Sequence, residues 1–209
     1  MYRMALGIVF LVGCREEAPA RPPAPAPAPA PSAAPAPREV AGLRLEERGR
    51  AVIVTDTRGG QRFQLPSSPK VETPQLAAPA GVKAEQVLMT LADQDPYTAV
   101  AVVRTQMAPD ATLVNIYNGA RDGSLRQTGG TLVSEDDTAI GGIPARHYVL
   151  RAVDSSVEVL SHGWVVANLG TSTIYIITTA GRASDDAKTK AAGQAIAASF
   201  ESVTPPPVK

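Results

Sequence analysis

Cysteine is almost absent from this chain: Cys14 is the only one among 209 residues. A lone thiol excludes an internal disulfide framework, so any exported domain must be held by its core alone. A charge imbalance is missing too. Lys plus Arg and Asp plus Glu each number 20, and no basic stripe appears locally, which excludes an electrostatic footprint for nucleic acid. Aromatics are scarce, with one Trp, five Tyr and three Phe, so the core must be built largely from Val, Ile, Leu and Ala. His147 and His162 are the only histidines, and two imidazoles without a nearby third ligand make a poor metal site. Neither a metal nor a cofactor is expected.

The N-terminus has the layout of a signal peptide. Arg3 lies beside the amino terminus, Ala5 to Val12 is an unbroken run of apolar residues and glycine, and the small Gly13 closes it. That run falls well short of the roughly 20 apolar residues a membrane-spanning helix needs. Leu11-Val12-Gly13-Cys14 resembles the lipobox of bacterial prolipoproteins at all four positions. A buried cysteine closing an N-terminal helix is the alternative, but the proline-rich chain that follows cannot continue a core element. The resemblance implies cleavage before Cys14 and a thioether-linked diacylglycerol on its sulfur, with the freed amine acylated. Several acyl chains anchor stably where one does not, so the membrane is the expected partner. By the family's sorting rule an aspartate after the cysteine retains a lipoprotein in the inner membrane. Arg15 stands there instead, which points to the outer membrane, facing the periplasm or the surface.

Beyond Glu17 the chain alternates Pro and Ala through Pro22-Pro23-Ala24-Pro25 and on to Pro37. Every second backbone donor is gone, so neither a regular helix nor a sheet ladder can form. Such a disordered linker defaults to polyproline II and reaches on the order of 50 Å at about 3.1 Å per residue. It reads as a spacer rather than as a proline-rich recognition ligand, because readers of such ligands are mostly cytosolic and the tract lacks flanking basic specificity. Thr204-Pro205-Pro206-Pro207 breaks the chain again. The predicted organisation is a signal peptide over 1–13, a lipidated cysteine and tether over 14–38, a globular domain over 39–203 and a disordered tail over 204–209.

Within the domain, Leu43 and Leu45 alternate with charged residues. Ala51 to Thr55 and Arg62 to Leu65 read as strands around a turn at Asp56-Thr57-Arg58-Gly59-Gly60. Pro66 to Gly81 reads as irregular surface chain. Glu85 to Ala92 is a strand with Val87, Met89 and Leu91 on one face, and Thr98 to Gln106 is nearly apolar on both faces, as a central strand should be. Asp110 offers an N-cap for a helix through Leu113, Ile116, Tyr117 and Ala120, ending between Asn118 and Gln127 because Gly119 and Gly123 weaken it. Strands follow over Thr131 to Ser134, Arg146 to Val153, Val157 to Asn168 and Thr173 to Thr179. The last three have hairpin-sized connections, hence an antiparallel arrangement. Ser184-Asp185-Asp186 starts a closing helix with Ala192, Ile196, Ser199 and Phe200 on its packing face. The fold class is α+β, an antiparallel sheet covered by helices.

Phe63-Gln64-Leu65-Pro66, Gly141-Gly142-Ile143-Pro144-Ala145 entering a tyrosine-bearing strand, and a closing helix ending Ile196-Ala197-Ala198-Ser199-Phe200 together resemble the PsbP-like fold over Arg62 to Val203. That group includes the extrinsic PsbP subunit of photosystem II, a Ran-binding nuclear import factor and DcrB-like bacterial lipoproteins. An aromatic usual soon after the first Leu-Pro is absent here. The resemblance implies an αβα sandwich and a binding or assembly role.

Candidate chemistry is scattered. His147 and His162 lie on neighbouring strands: a three-residue loop Asp154 to Ser156 puts them on opposite faces, whereas a two-residue turn at Ser155-Ser156 sets them diagonally on one face. Ser155, Ser156 and Ser161 are near these histidines in sequence, but no G-x-S-x-G elbow occurs. Glu135-Asp136-Asp137 lacks the glycine and the later glutamate of an EF-hand loop and reads as a solvated turn. Gly59-Gly60, Gly129-Gly130 and Gly141-Gly142 read as turns, since no G-x-x-x-x-G-K occurs. The expected function is a membrane-anchored envelope module that binds or assembles without catalysis. A weak hydrolase using strand-turn polar residues and a structural envelope spacer are the alternatives. If the domain binds a partner through an aromatic centre, Trp164 beside Tyr148 and Tyr175 is the place for it. Core packing of Trp164 is the competing reading.

Overall fold

Alternation of apolar and polar residues builds the first sheet in the computed structural model, which describes residues 35–76, 83–91, 94–108 and 110–203. Strands β1 (Arg38–Val40), β2 (Leu43–Arg48), β3 (Ala51–Asp56) and β4 (Gln61–Leu65) form an antiparallel meander. Leu43, Leu45, Val52, Val54, Phe63 and Leu65 all turn inward. Ala41 and Gly42 make the first tight turn with φ of 48° and 79°, left-handed values that match strand twist in a two-residue hairpin. β1 begins one residue inside the stretch read as tether, with Arg38 opposite Leu45. The lipobox, Cys14, the Pro/Ala run before Pro35 and the 204–209 tail lie outside the described residues.

The second sheet has seven antiparallel strands. β5 (Lys70–Glu72), β6 (Ala84–Leu91), β7 (Tyr97–Thr105), β8 (Thr131–Ile140), β9 (Ile143–Asp154), β10 (Val157–Asn168) and β11 (Thr173–Arg182) are arranged in the order β5-β6-β7-β11-β10-β9-β8. β7 lies inside the sheet, as its two-faced apolar sequence requires, with Thr98 to Val102 all buried. Helix α1 (Leu113–Thr128) covers one face over β9 and β10, packing Tyr117 on Tyr148, Leu150, Val165 and Ala167. Helix α2 (Asp186–Ala198) lies on the other face over β10 and β11, where the first sheet shares a single apolar cluster with it. Strand β12 (Glu201–Ser202) then returns the chain to β4. Among the described residues, no helix is long and apolar enough to cross a membrane.

Several expectations need correction. The domain has two antiparallel sheets rather than one, because β1 to β4 close on themselves as hairpins and present one apolar face. Thr112, not Asp110, caps α1, its hydroxyl accepting from the Asn115 amide at 3.2 Å. The helix runs past Gln127 to Thr128, where Gly129 at φ 63° supplies the left-handed cap. Gly119 and Gly123 lie inside it and do not stop it. Glu135-Asp136-Asp137 is not a turn. It lies within β8, an edge strand whose Glu135 and Asp137 pair with Arg146 while Glu135 also pairs with Arg121. Among the described residues of the stretch read as irregular, 66–76, lies one short strand, β5, paired with β6.

Candidate functional site

The β9–β10 turn decides where the histidines go. Asp154 pairs with Val157, so the loop is the two-residue Ser155-Ser156, both at positive φ (48° and 70°). His147 then stands opposite Trp164, and His162 lies diagonally beside it on the same face. Nε2 of His147 is 3.1 Å from Nδ1 of His162, and Nε2 of His162 is 2.7 Å from Oδ1 of Asp186 at the start of α2. A carboxylate can only accept, so with Asp186 ionised the His162 proton sits on Nε2 and its Nδ1 accepts from Nε2–H of His147. Trp164 floors both rings, with centroids 4.7 Å from His147 and 5.7 Å from His162.

This chain of hydrogen bonds fastens α2 to the sheet, together with the Thr179 hydroxyl donating to the Thr189 carbonyl at 2.9 Å. Two imidazole nitrogens facing each other form a relay rather than a metal cage, and no group of three or more metal-binding side chains occurs among the described residues. Burial, followed by the neighbouring His162 and then Lys190, holds the His147 imidazole down at about 4, against the opposing pull of Asp136 and Asp186. The unfolded chain therefore takes up a proton near pH 6.5 that the folded chain refuses. Stability from His147 is complete above that pH and is lost as the pH falls toward 4. With partial solvent screening, we expect a loss on the order of 1–2 kcal/mol. Urea unfolding at pH 7 and pH 4.5 should show this acid loss reduced in His147→Gln. An equal loss in both proteins would remove His147 as its source.

The serines do not complete a triad. Ser161 adjoins His162 on one strand and so points to the opposite face. Ser155 donates to Asp154 Oδ1 at 3.2 Å on the exposed turn. The aromatic surface is also corrected: Trp164, Tyr148 and Tyr175 are 4 %, 1 % and 0 % exposed and form no exposed aromatic patch. Trp164 packs under α2, where a Cβ on Gly193 would meet its ring at 2.1 Å. Tyr148 lies on the opposite face under α1, its hydroxyl 2.8 Å from that of Ser124. Tyr175 reaches toward the first sheet, and burial followed by the charge of Asp56 raises its phenol above the ordinary value.

A second cluster was not found from sequence. Asp56, at the end of β3, is fully buried. Its Oδ1 accepts from the Arg58 and Gly59 amides at 3.0 and 2.9 Å and from Arg104 Nη2 at 2.8 Å, while Oδ2 accepts from the Tyr175 hydroxyl at 2.8 Å. Gly59 is obligatory, since a Cβ there would lie 2.0 Å from the Tyr175 oxygen. Arg104 Nη1 donates to the Ala41 carbonyl at 3.0 Å and lies 3.7 Å from Glu85, which also pairs with Arg58 at 2.8 Å. The cluster joins the two sheets and backs an open cleft of about 560 Å³ whose wall includes Arg58, Lys83, Glu85, Arg104 and Thr171. The legible signals were an Asp opening a turn, Asp56-Thr57-Arg58-Gly59-Gly60, and a lone Arg closing an apolar strand.

No known protein family matches the sequence, and no curated protein matches it. Solved structures do. The cyanobacterial PsbP protein (CyanoP) of Synechocystis is similar at 17% identity and a TM-score of 0.55, over 75% of this chain and 94% of that one. LpqN of Mycobacterium tuberculosis, involved in cell envelope biogenesis, aligns at 13% identity and a TM-score of 0.41, over 67% of this chain and 87% of that one. The immunity protein TplEi of Pseudomonas aeruginosa aligns at 10% and 0.40, over 78% and 72%. The likeness to CyanoP shows a PsbP-like fold, here an α+β domain with two antiparallel sheets and two helices.

Proposed function

We propose that this chain is a lipid-anchored envelope protein whose domain binds a ligand or partner rather than catalysing a reaction. The observation that carries the reading is Leu11-Val12-Gly13-Cys14, followed by a Pro/Ala spacer and then the folded domain. The membrane is the first partner, held through acyl chains on Cys14, and Arg15 favours the outer membrane. Binding rather than chemistry is supported by how the reactive groups are engaged: His162 is buried between His147 and Asp186, and Asp56 is surrounded by donors. Among the described residues no serine, threonine or cysteine side chain hydrogen-bonds either group, and the Tyr175 hydroxyl on Asp56 is itself buried.

Growing cells on labelled palmitate tests the anchor. The unaltered chain should carry label and fractionate with outer membranes, while Cys14→Ser should carry none and accumulate as precursor or soluble protein. Label and membrane association persisting in Cys14→Ser would overturn the assignment. A hydrolysis that His147→Ala abolishes while the fold stays intact would replace the binding reading with an enzymatic one.

A further inference from the structure

The Arg58–Arg104 cleft is a large recess among the described residues, walled by charged groups that the fold does not fully use. At about 560 Å³ it falls in the range of small-molecule sites, roughly 300–1,000 Å³. Its charge is unbalanced. Arg58, Lys83 and Arg104 share the wall with Glu85 alone, and Asp56 lies behind Arg104. The Arg58 guanidinium is half exposed and uses only Nη1 toward Glu85, so the rest of its fork faces solvent.

Two buried polar atoms behind this wall have no hydrogen-bond partner among the described residues, Arg104 Nε and Thr171 Oγ1. Both are enclosed by protein, and the terminal nitrogens of Arg104 are engaged by Ala41 and Asp56, so Arg104 is the fixed positive back of the cleft while Arg58 and Lys83 stand at its rim. Thr105, Gln106 and Ser172 add polar side chains to the rim, while Leu76 and Ala84 make part of the wall apolar. Guanidinium forks suit the oxygens of phosphate and carboxylate.

Building on the binding-module reading above, we infer that this cleft holds the oxyanion head of a small amphiphilic ligand, with its apolar body against Leu76 and Ala84. The head accepts from Arg58 and Lys83, in front of the positive charge of Arg104. A membrane-tethered domain meets such heads both on lipids and on free molecules, and the test separates the two.

The full chain carrying Cys14→Ser, isotopically labelled for amide NMR, is titrated with hexyl phosphate, inorganic phosphate and hexyltrimethylammonium. Hexyl phosphate should shift the amides of Thr105, Gln106 and Ser172 saturably. Inorganic phosphate should do so more weakly, and the cation not at all. Arg58→Gln and Lys83→Gln, both changes at the cleft rim, should each weaken hexyl phosphate about tenfold, the loss of one charge-assisted contact. Vesicles of phosphatidylcholine with phosphatidylglycerol, but not without it, broaden the same amides if the natural head is a lipid's. Vesicles without effect, alongside binding of hexyl phosphate, assign it to a free molecule. No saturable shift with hexyl phosphate, an equal response to the cation, or undiminished binding in both variants would overturn the inference. Such a failure with palmitate still on Cys14 leaves the anchored-module reading intact, whereas loss of that label sinks the latter alone.

Discussion

Trp164→Ala is expected to cost this domain about 3–5 kcal/mol, the range for removing a large buried aromatic. The indole is 4 % exposed, floors His147 and His162, and belongs to the cluster shared by α2 and both sheets. Alanine would open a cavity beside the recess already lined by Trp164, Ile140 and Ala197, and would remove the support under the histidine chain that holds Asp186. Urea unfolding followed by far-ultraviolet circular dichroism should show a lower midpoint at an unchanged slope. A loss below about 1 kcal/mol would mean the ring packs far less than its burial indicates. Gly193→Ala approaches the same contact from α2. Its new Cβ falls 2.1 Å from the ring, so it should destabilise by overpacking, by about 1–3 kcal/mol.

How much of this was legible follows from the range of the signal. Val157 to Asn168 is delimited at both ends by turn residues flanking a continuous strand pattern, and β10 spans those residues. The sequence pattern ends β8 at Ser134 because Glu135-Asp136-Asp137 is polar on both faces, the pattern of an exposed edge strand as much as of a turn. Alternation marks β2, β3 and β4 of the first sheet but neither β1 nor β12, and it carries no information about which strand joins which sheet. That β12 would pair with β4, far away in the chain, was not visible. The fold class was therefore readable while its division into two sheets was not.

The site divides in the same way. Both histidine arrangements were visible, and the choice rested on one residue of turn length. Serines at positive φ are uncommon, so local preference gave no means of selecting Ser155-Ser156. Asp56 was recognised as a turn residue through its local amide partners, whereas Tyr175 and Arg104 meet it only once the sheets stack. Trp164 carried both an interface reading and a core reading. A strand residue's two faces are symmetric in sequence until something is known to cover them, and α2 covers this one.

Asp56→Ala should destabilise the domain by about 3–5 kcal/mol, because it leaves a buried guanidinium without its counter-ion. Arg104 is only 11 % exposed and donates to Asp56 at 2.8 Å. The Tyr175 hydroxyl and the Arg58 and Gly59 amides lose their acceptor at the same time. Asp56→Asn keeps an acceptor oxygen of similar shape while removing the charge, so it should fall between wild type and alanine. The distinguishing measurement is a double-mutant cycle with Arg104→Met. Removing both charges eliminates the unpaired ion, so the double variant should lose at least about 1 kcal/mol less than the sum of the single losses. Strict additivity would show that the two groups do not depend on each other, and the junction between the sheets would then rest on apolar packing alone. A positive coupling would make Asp56 the group that fixes Arg104 against the back of the cleft. The same Asp56→Ala variant should then also weaken hexyl phosphate binding, because an Arg104 released toward Glu85 no longer presents the same wall.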